Sequence, residues 1–190
     1  MHGGENYIPW QIDKQNFSSK GEGQMETKER TLSSIHTVEE LHKGLLEEVP
    51  NTSGVYFVFM PADFELIILP KNVGFEFTSK RKPSSYGMAE LEVKAAHYGK
   101  FGHYKSHLLY IGKAKDLHRR IEQYIGYRYN IPNLFPHDGG RAIWQIKNSE
   151  KLIIQYMECL DGEDCRNIEH ALLETYKKRY GTYPFANWKA

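Results

Sequence analysis

The feature that most constrains the fold is residues 108–124, where an apolar run changes at Gly112 into helical periodicity. Leu108 to Ile111 is short and apolar, which predicts a strand. Asp116 is the expected helix N-cap. One helical face follows, formed by the apolar residues Leu117, Ile121, Tyr124 and Ile125. The stretch therefore predicts a strand that delivers side chains to a helix.

Polar side chains in this stretch are typical of phosphate binding. Arg offers a planar fork of donors and Lys a point charge, and a helix N-terminus adds unpaired N–H groups. The alternative is a solvated basic helix face. The candidate residues are Tyr110, Lys113, Arg119, Arg120 and Tyr124.

Residues 53–59, Ser-Gly-Val-Tyr-Phe-Val-Phe, predict a second strand that carries an exposed tyrosine. Gly-Val-Tyr followed by Tyr-Ile-Gly-Lys-Ala-Lys-Asp-Leu resembles the GIY-YIG nuclease superfamily. Lys113 and Tyr124 resemble its repair-nuclease branch in particular. The resemblance covers about half the chain and rests on the ordered set Tyr56, Tyr110, Arg120, Glu169 and Asn187.

The chain departs from this family in the length between the two motifs, because residues 57–109 separate the tyrosine of the first from the tyrosine of the second. Within this insert we expect Phe64–Leu69 to form a β-hairpin with the Tyr56 strand, and Met88–Ala96 to form a helix. Residues 98–105 predict a flexible basic-aromatic loop. Lys100 and Lys105 would contact nucleic acid there, while the alternative is that the aromatic side chains pack on the domain.

We predict one α+β domain, a small and largely antiparallel central sheet flanked by the Arg120 and Glu169 helices. It spans residues 35–190, includes an insert at about 60–107, and follows a flexible arm at 1–34. The capping box Thr37-Val38-Glu39-Glu40 opens a helix that should continue to Pro50. Residues 142–146 and 152–157 predict two further strands.

Charge is unevenly distributed. The formal net charge of +1 counts mildly against a nucleic-acid binder. Residues 94–128, however, carry eight basic and two acidic side chains, whereas residues 1–50 carry five basic and nine acidic ones. Such polarity suits a surface that faces phosphates. Lys115 and Arg119 are further expected substrate contacts.

The last predicted helix runs from Cys165 to Tyr180, with Asp164 as its cap and Gly181 as its end. Glu169 lies beside the apolar stripe of this helix and can reach inward. A carboxylate there needs a partner, either a divalent metal or a cation in a boundary salt bridge.

Cys159 and Cys165 are too few for a disulfide framework, and their spacing is not typical of zinc. A reducing, cytoplasmic compartment is the simplest interpretation. The sequence holds no run of 18 apolar residues, so we expect no membrane span.

The resemblance implies hydrolysis of a phosphodiester, with DNA as the expected substrate and RNA as an alternative. Glu169 would hold one Mg²⁺ or Mn²⁺. Arg120 and Lys113 would neutralise charge on the phosphate, and Tyr56 or Tyr110 would take the proton from water. Tyr124 would orient the phosphate or water, and Asn187 would hold the closing segment. The competing interpretation is a non-catalytic module that binds nucleic acid or a protein with the same fold.

Overall fold

A computed structural model describes residues 31–74, 85–100, 107–131 and 140–189, without the side chains of residues 99 and 100. Most of the predicted arm and the insert segments 75–84 and 101–106 lie outside these ranges. Of the predicted arm, residues 31–34 are described, and Ser33 pairs with Tyr156. The Ser33 N–H donates to the Tyr156 carbonyl at 2.8 Å, and the Tyr156 N–H donates to Ser33 Oγ at 3.0 Å.

Four antiparallel strands form one sheet in the order β1-β4-β2-β3. Their bounds are β1 His36–Thr37, β2 Gly54–Phe59, β3 Leu108–Ala114 and β4 Ile153–Glu158. β2 is a central strand with six buried residues, so the sheet is covered on both faces. β3 lies at one end of the strand order. The predicted α+β class with an antiparallel sheet is confirmed.

Four α-helices accompany the sheet in the described residues: α1 Val38–His42, α2 Met88–Lys100, α3 Leu117–Arg128 and α4 Cys165–Tyr180. Asp116 caps α3, Asp164 caps α4, and Gly181 ends α4 in a left-handed conformation, as predicted. α3 and α4 both contact β2 and β3. The strand–turn–helix unit therefore places the first turn of α3 beside the tyrosine strands.

Two predicted helix boundaries are wrong. The capping box at Thr37 is present, but α1 ends at His42 because Gly44 has φ 133°, and a 3-10 helix follows at Leu45–Glu48. α2 extends beyond the predicted end to Lys100, so the first part of the expected basic-aromatic loop is helical. Tyr98 is buried there, and its hydroxyl donates to the Leu108 carbonyl at 3.1 Å.

Two predicted strands are also wrong. Residues 64–69 form no hairpin with β2, because β3 and β4 occupy both edges of β2. Ile143–Gln145 is a 3-10 helix. The two apolar segments meet each other instead, through an isolated bridge between Ile68 and Ile146. The predicted strand at Leu108–Ile111 is real but continues through Gly112 to Ala114.

Cys159 and Cys165 form a disulfide across the connection from β4 to α4, with their Cα atoms 6.0 Å apart. The sequence interpretation did not anticipate this bond, because two cysteines give no pairing pattern. The disulfide ties the end of β4 to the first residue of α4, the helix that carries Glu169 one turn later.

Candidate active site

Three tyrosines from three elements pack against one another at the centre of the candidate site. The ring of Tyr56 in β2 lies 5.8 Å from that of Tyr110 in β3 and 5.8 Å from that of Tyr124 in α3. The rings of Tyr110 and Tyr124 are 6.3 Å apart. Tyr56 is fully buried. The expectation that it would be exposed is therefore wrong, because its strand is central and covered.

Gly112 makes this close packing possible. It pairs directly with Tyr56 across the β2–β3 ladder. A Cβ atom at Gly112 would lie 2.6 Å from Tyr56 Cζ and 2.7 Å from Tyr110 Cε1. The glycine of the Tyr-Ile-Gly motif is thus required because two rings approach the backbone, and not because of a turn.

Gly112→Ala is expected to destabilise the protein by about 1–3 kcal/mol, because the added methyl group overpacks both rings. For a chain of this size the melting temperature should fall by roughly 2–12 °C, which thermal denaturation measures. Gly87→Ala is the matched control, since a Cβ atom at Gly87 meets nothing within 4 Å. Equal melting temperatures for the two variants would contradict this packing.

Burial raises the pKa of all three tyrosine hydroxyls. The pKa of Tyr56 and of Tyr124 lies well above the usual range, chiefly because burial disfavours the phenolate. Burial raises the pKa of Tyr110 to about 12, although a hydrogen bond with Tyr56 lowers it. Tyr110 is the less enclosed residue of this pair, 9% exposed against 0% for Tyr56.

Arg120 is the cation next to this pair. It lies on α3 one turn before Tyr124 and is partly buried. Its positive charge lowers the pKa of both Tyr56 and Tyr110, which partly offsets the effect of burial. The guanidinium therefore stabilises negative charge at the same place where the tyrosine hydroxyls meet.

Glu169 and Lys113 form an ion pair between α4 and β3. The side chain of Glu169 is 14% exposed and that of Lys113 is 39% exposed, so the carboxylate is the more enclosed partner. Negative charge on Glu169 also raises the pKa of Tyr110, which places the carboxylate near the tyrosines. The boundary salt bridge offered by the sequence is present.

Asn187 holds the C-terminal segment against β3. Its Nδ2 donates to the Ile111 carbonyl at 2.9 Å, and its Oδ1 accepts from the Ile111 N–H at 3.0 Å. The Ala186 N–H donates to the Leu109 carbonyl at 2.8 Å. These bonds satisfy the backbone of β3 on the side away from β2, next to Tyr110.

The predicted substrate contacts divide into two groups. Lys115 and Arg119 are both exposed, at the connection between β3 and α3 and in the first turn of α3. Lys100 lies in α2, but its side chain is outside the described part of the structure. The whole of Lys105 is also outside it. The structure thus places the first two on the exposed surface at the start of α3 and says nothing of the side chains of the other two.

Sequence reasoning missed three residues beside the site: Tyr86, Arg141 and Trp188. Arg141 is 7% exposed, and its guanidinium lies 4.5 Å from the centre of the Tyr86 ring. The ring of Trp188 stacks on the ring of Tyr86, with the ring centres 4.8 Å apart. No motif marks them, although Trp188 directly follows the predicted Asn187 and could have been found by that adjacency.

A single carboxylate is a sufficient protein ligand for Mg²⁺, which keeps several waters and also binds substrate phosphates. Glu169 already faces a cation, the Lys113 ammonium, so its carboxylate is directed where a positive charge fits. Among the described residues, no group of three or more His, Cys, Asp and Glu side chains is placed to hold a metal. Glu169 is therefore the one carboxylate that the described residues offer to such a metal beside the tyrosine cluster.

None of the protein-family models, curated proteins and solved structures compared with this chain matches it. The described helices include none that is long and apolar enough to cross a membrane.

Proposed function

We propose that this chain is a GIY-YIG-type endonuclease, which hydrolyses DNA phosphodiester bonds by in-line attack of water with one divalent metal. The observation that supports it best is the convergence of residues from β2, β3, α3 and α4 on one place. Three tyrosines, Arg120 and the Lys113–Glu169 pair meet there although they are far apart in sequence. This set supplies donors, cations and a carboxylate around one position.

Arg120 binds the scissile phosphate in this proposal. A guanidinium offers two parallel donors that match phosphate oxygens. Because it is partly buried beside the tyrosines, its charge is screened less than that of an exposed arginine. Lys113 adds a second positive charge once it leaves Glu169, and its 39% exposure leaves room for that movement.

Tyr110 is the better candidate for the base that takes the proton from water. It is the less enclosed of the two candidate tyrosines, 9% exposed against 0% for Tyr56, and the charge of Arg120 lowers its pKa. Complete burial disfavours a phenolate more strongly at Tyr56. Without substrate the pKa of Tyr110 is about 12. Tyr110 is therefore protonated at neutral pH until the bound state lowers this value.

Glu169 is the proposed metal ligand. Bound there, a divalent cation would polarise the phosphoryl group and stabilise the leaving oxygen. Glu169 projects from the regular helix α4, which packs against β2 and β3, so its position is well defined. Tyr124 lies one turn after Arg120 and would orient the phosphate or water through its hydroxyl.

A non-catalytic module that binds nucleic acid or a protein is the second candidate. The Lys113–Glu169 pair favours it, because the carboxylate is already neutralised within the protein. This candidate predicts binding without turnover and no effect of metal on the substrate.

Incubation of the purified protein with plasmid, branched DNA, single-stranded DNA and RNA separates the two candidates. Each substrate is tested with Mg²⁺, with Mn²⁺ and with a chelator. The nuclease proposal predicts cleavage of at least one DNA substrate with metal and none with chelator. Binding of DNA without cleavage under every condition would favour the module.

DNA binding is expected to weaken as salt rises, since each Lys or Arg that neutralises a phosphate contributes about 0.9 to the log–log slope on duplex DNA. Neutralising Lys115 and Arg119 together should therefore reduce the slope by about 1.8. The matched control is Lys178 with Arg179, an exposed pair more than two turns beyond Glu169 on α4. Equal slopes for both double variants, or an affinity independent of salt, would contradict the predicted surface.

A further inference from the structure

Tyr86, which belongs to the insert, is held at both its backbone and its ring. Its N–H donates to Gln145 Oε1 at 2.6 Å, and its carbonyl accepts from Gln145 Nε2 at 3.1 Å. Gln145 is fully buried. The ring stacks on Trp188 at 4.8 Å with a 30° interplanar angle, and the Arg141 guanidinium lies 4.5 Å from the ring centre. Tyr86 is therefore a fixed side chain within the insert.

The position of Tyr86 is beside the candidate active site. Trp188 follows Asn187, whose side chain bonds both backbone groups of Ile111, the neighbour of Tyr110. Arg141, the second contact of the Tyr86 ring, directly follows Gly140. A Cβ atom at Gly140 would lie 3.2 Å from the Tyr124 ring. The field of Tyr86 also contributes to the raised pKa of Tyr110. Three separate observations thus place Tyr86 next to the tyrosine cluster.

The Tyr86 hydroxyl has a defined direction. Arg141 Nη2 donates to the Tyr86 hydroxyl oxygen at 3.1 Å. Since a guanidinium only donates, the phenol proton has to point away from Arg141. A buried arginine beside the ring also favours the approach of an anion, and a hydroxyl proton is a suitable donor to a phosphate oxygen.

We propose that Tyr86 is a substrate-binding residue, whose hydroxyl donates to a non-bridging oxygen of a phosphate next to the scissile one. Arg141 and Trp188 are positioning residues that orient it. The inference rests on the proposed function and adds a role for the insert, which brings this donor to a site built by the four other elements.

Tyr86→Phe tests it, because the variant keeps the ring and its stack but removes the donor. In the presence of chelator, DNA binding should weaken roughly tenfold to hundredfold, the range for a hydrogen bond to a charged group. The matched control is Tyr183→Phe, which removes a hydroxyl that donates to Glu174 at 2.6 Å on the exposed side of α4. Its DNA affinity should equal that of the wild type.

A series of oligonucleotides, each with one neutral methylphosphonate linkage, identifies the contacted phosphate. At one position the wild type should lose affinity while Tyr86→Phe loses none. For each protein, the affinity for the oligonucleotide with the neutral linkage is compared with its affinity for the fully charged one. A general loss of stability therefore cannot produce this result. Wild-type affinity in Tyr86→Phe, or equal losses in both proteins at every position, would overturn the inference while leaving cleavage by the wild type intact. If the wild type binds no DNA, the proposed function falls as well.

Discussion

Replacing Glu169 with Gln is expected to lower the rate of DNA cleavage by about 10³-fold or more. The change is nearly isosteric but removes the charge that would hold the metal. A bound metal contributes several kcal/mol of transition-state stabilisation, and losing that contribution lowers the rate by this factor. DNA binding should survive, since Arg120, Lys115 and Arg119 remain. Excess Mn²⁺ should restore part of the rate, because an amide oxygen is still a weak ligand.

Glu174→Gln is the matched control for this change, since Glu174 is an exposed carboxylate on the same helix. Melting temperature has to be measured beside cleavage in both variants. If Glu169 served only in the ion pair with Lys113, Gln at 169 would change stability slightly and leave turnover in place. A fully active Glu169→Gln protein would falsify the metal assignment.

Arg120→Ala is expected to lower the rate of cleavage roughly 10²–10³-fold, the loss measured for comparable electrostatic contacts in other active sites. Two effects combine. The phosphate loses a donor, and the pKa of Tyr56 and Tyr110 rises further because Arg120 no longer lowers it. Added metal should not restore the rate, in contrast to Glu169→Gln.

The control for this variant is Arg179→Ala, which removes an exposed arginine at the end of α4. Its rate should stay within experimental error of the wild type. Arg120→Lys should recover little, because an ammonium does not reproduce the planar fork of donors. Wild-type turnover in Arg120→Ala would remove this residue from the mechanism.

Local signals predicted the elements that carry the site. Asp116 and Asp164 cap α3 and α4 with their side chains, and both helices begin where those residues indicate. A cap acts within one turn, so the information lies in neighbouring residues. The same holds for the capping box at Thr37.

Packing decided the elements that the sequence did not predict. Residues 64–69 and 142–146 are both short apolar runs, for which periodicity cannot separate strand from other buried backbone. Their backbones bond each other, with the Leu69 N–H donating to the Gln145 carbonyl at 2.6 Å and the Lys147 N–H to the Ile67 carbonyl at 2.9 Å. Such pairs are distant in sequence and leave no local pattern.

The residues of the candidate site divide in the same way, into those that a local motif predicts and those that packing between distant segments determines. Tyr56, Tyr110, Tyr124 and Arg120 could be proposed from an ordered motif, and they meet in the structure. The burial of Tyr56 could not be predicted, because it depends on β3 and β4 flanking β2. Tyr86 lies in the insert, where no motif marks it and only its contacts with Arg141 and Trp188 identify it.

The most direct test of the nuclease proposal is cleavage of supercoiled plasmid by the wild type and by Glu169→Gln, purified in parallel and assayed with Mg²⁺ and with chelator. We predict that the wild type converts the plasmid to nicked or linear DNA with Mg²⁺ only, and that the variant leaves it supercoiled. Cleavage at equal rates by both proteins, or a folded wild type that cuts neither plasmid nor any DNA of the substrate panel with either metal, would contradict the proposal.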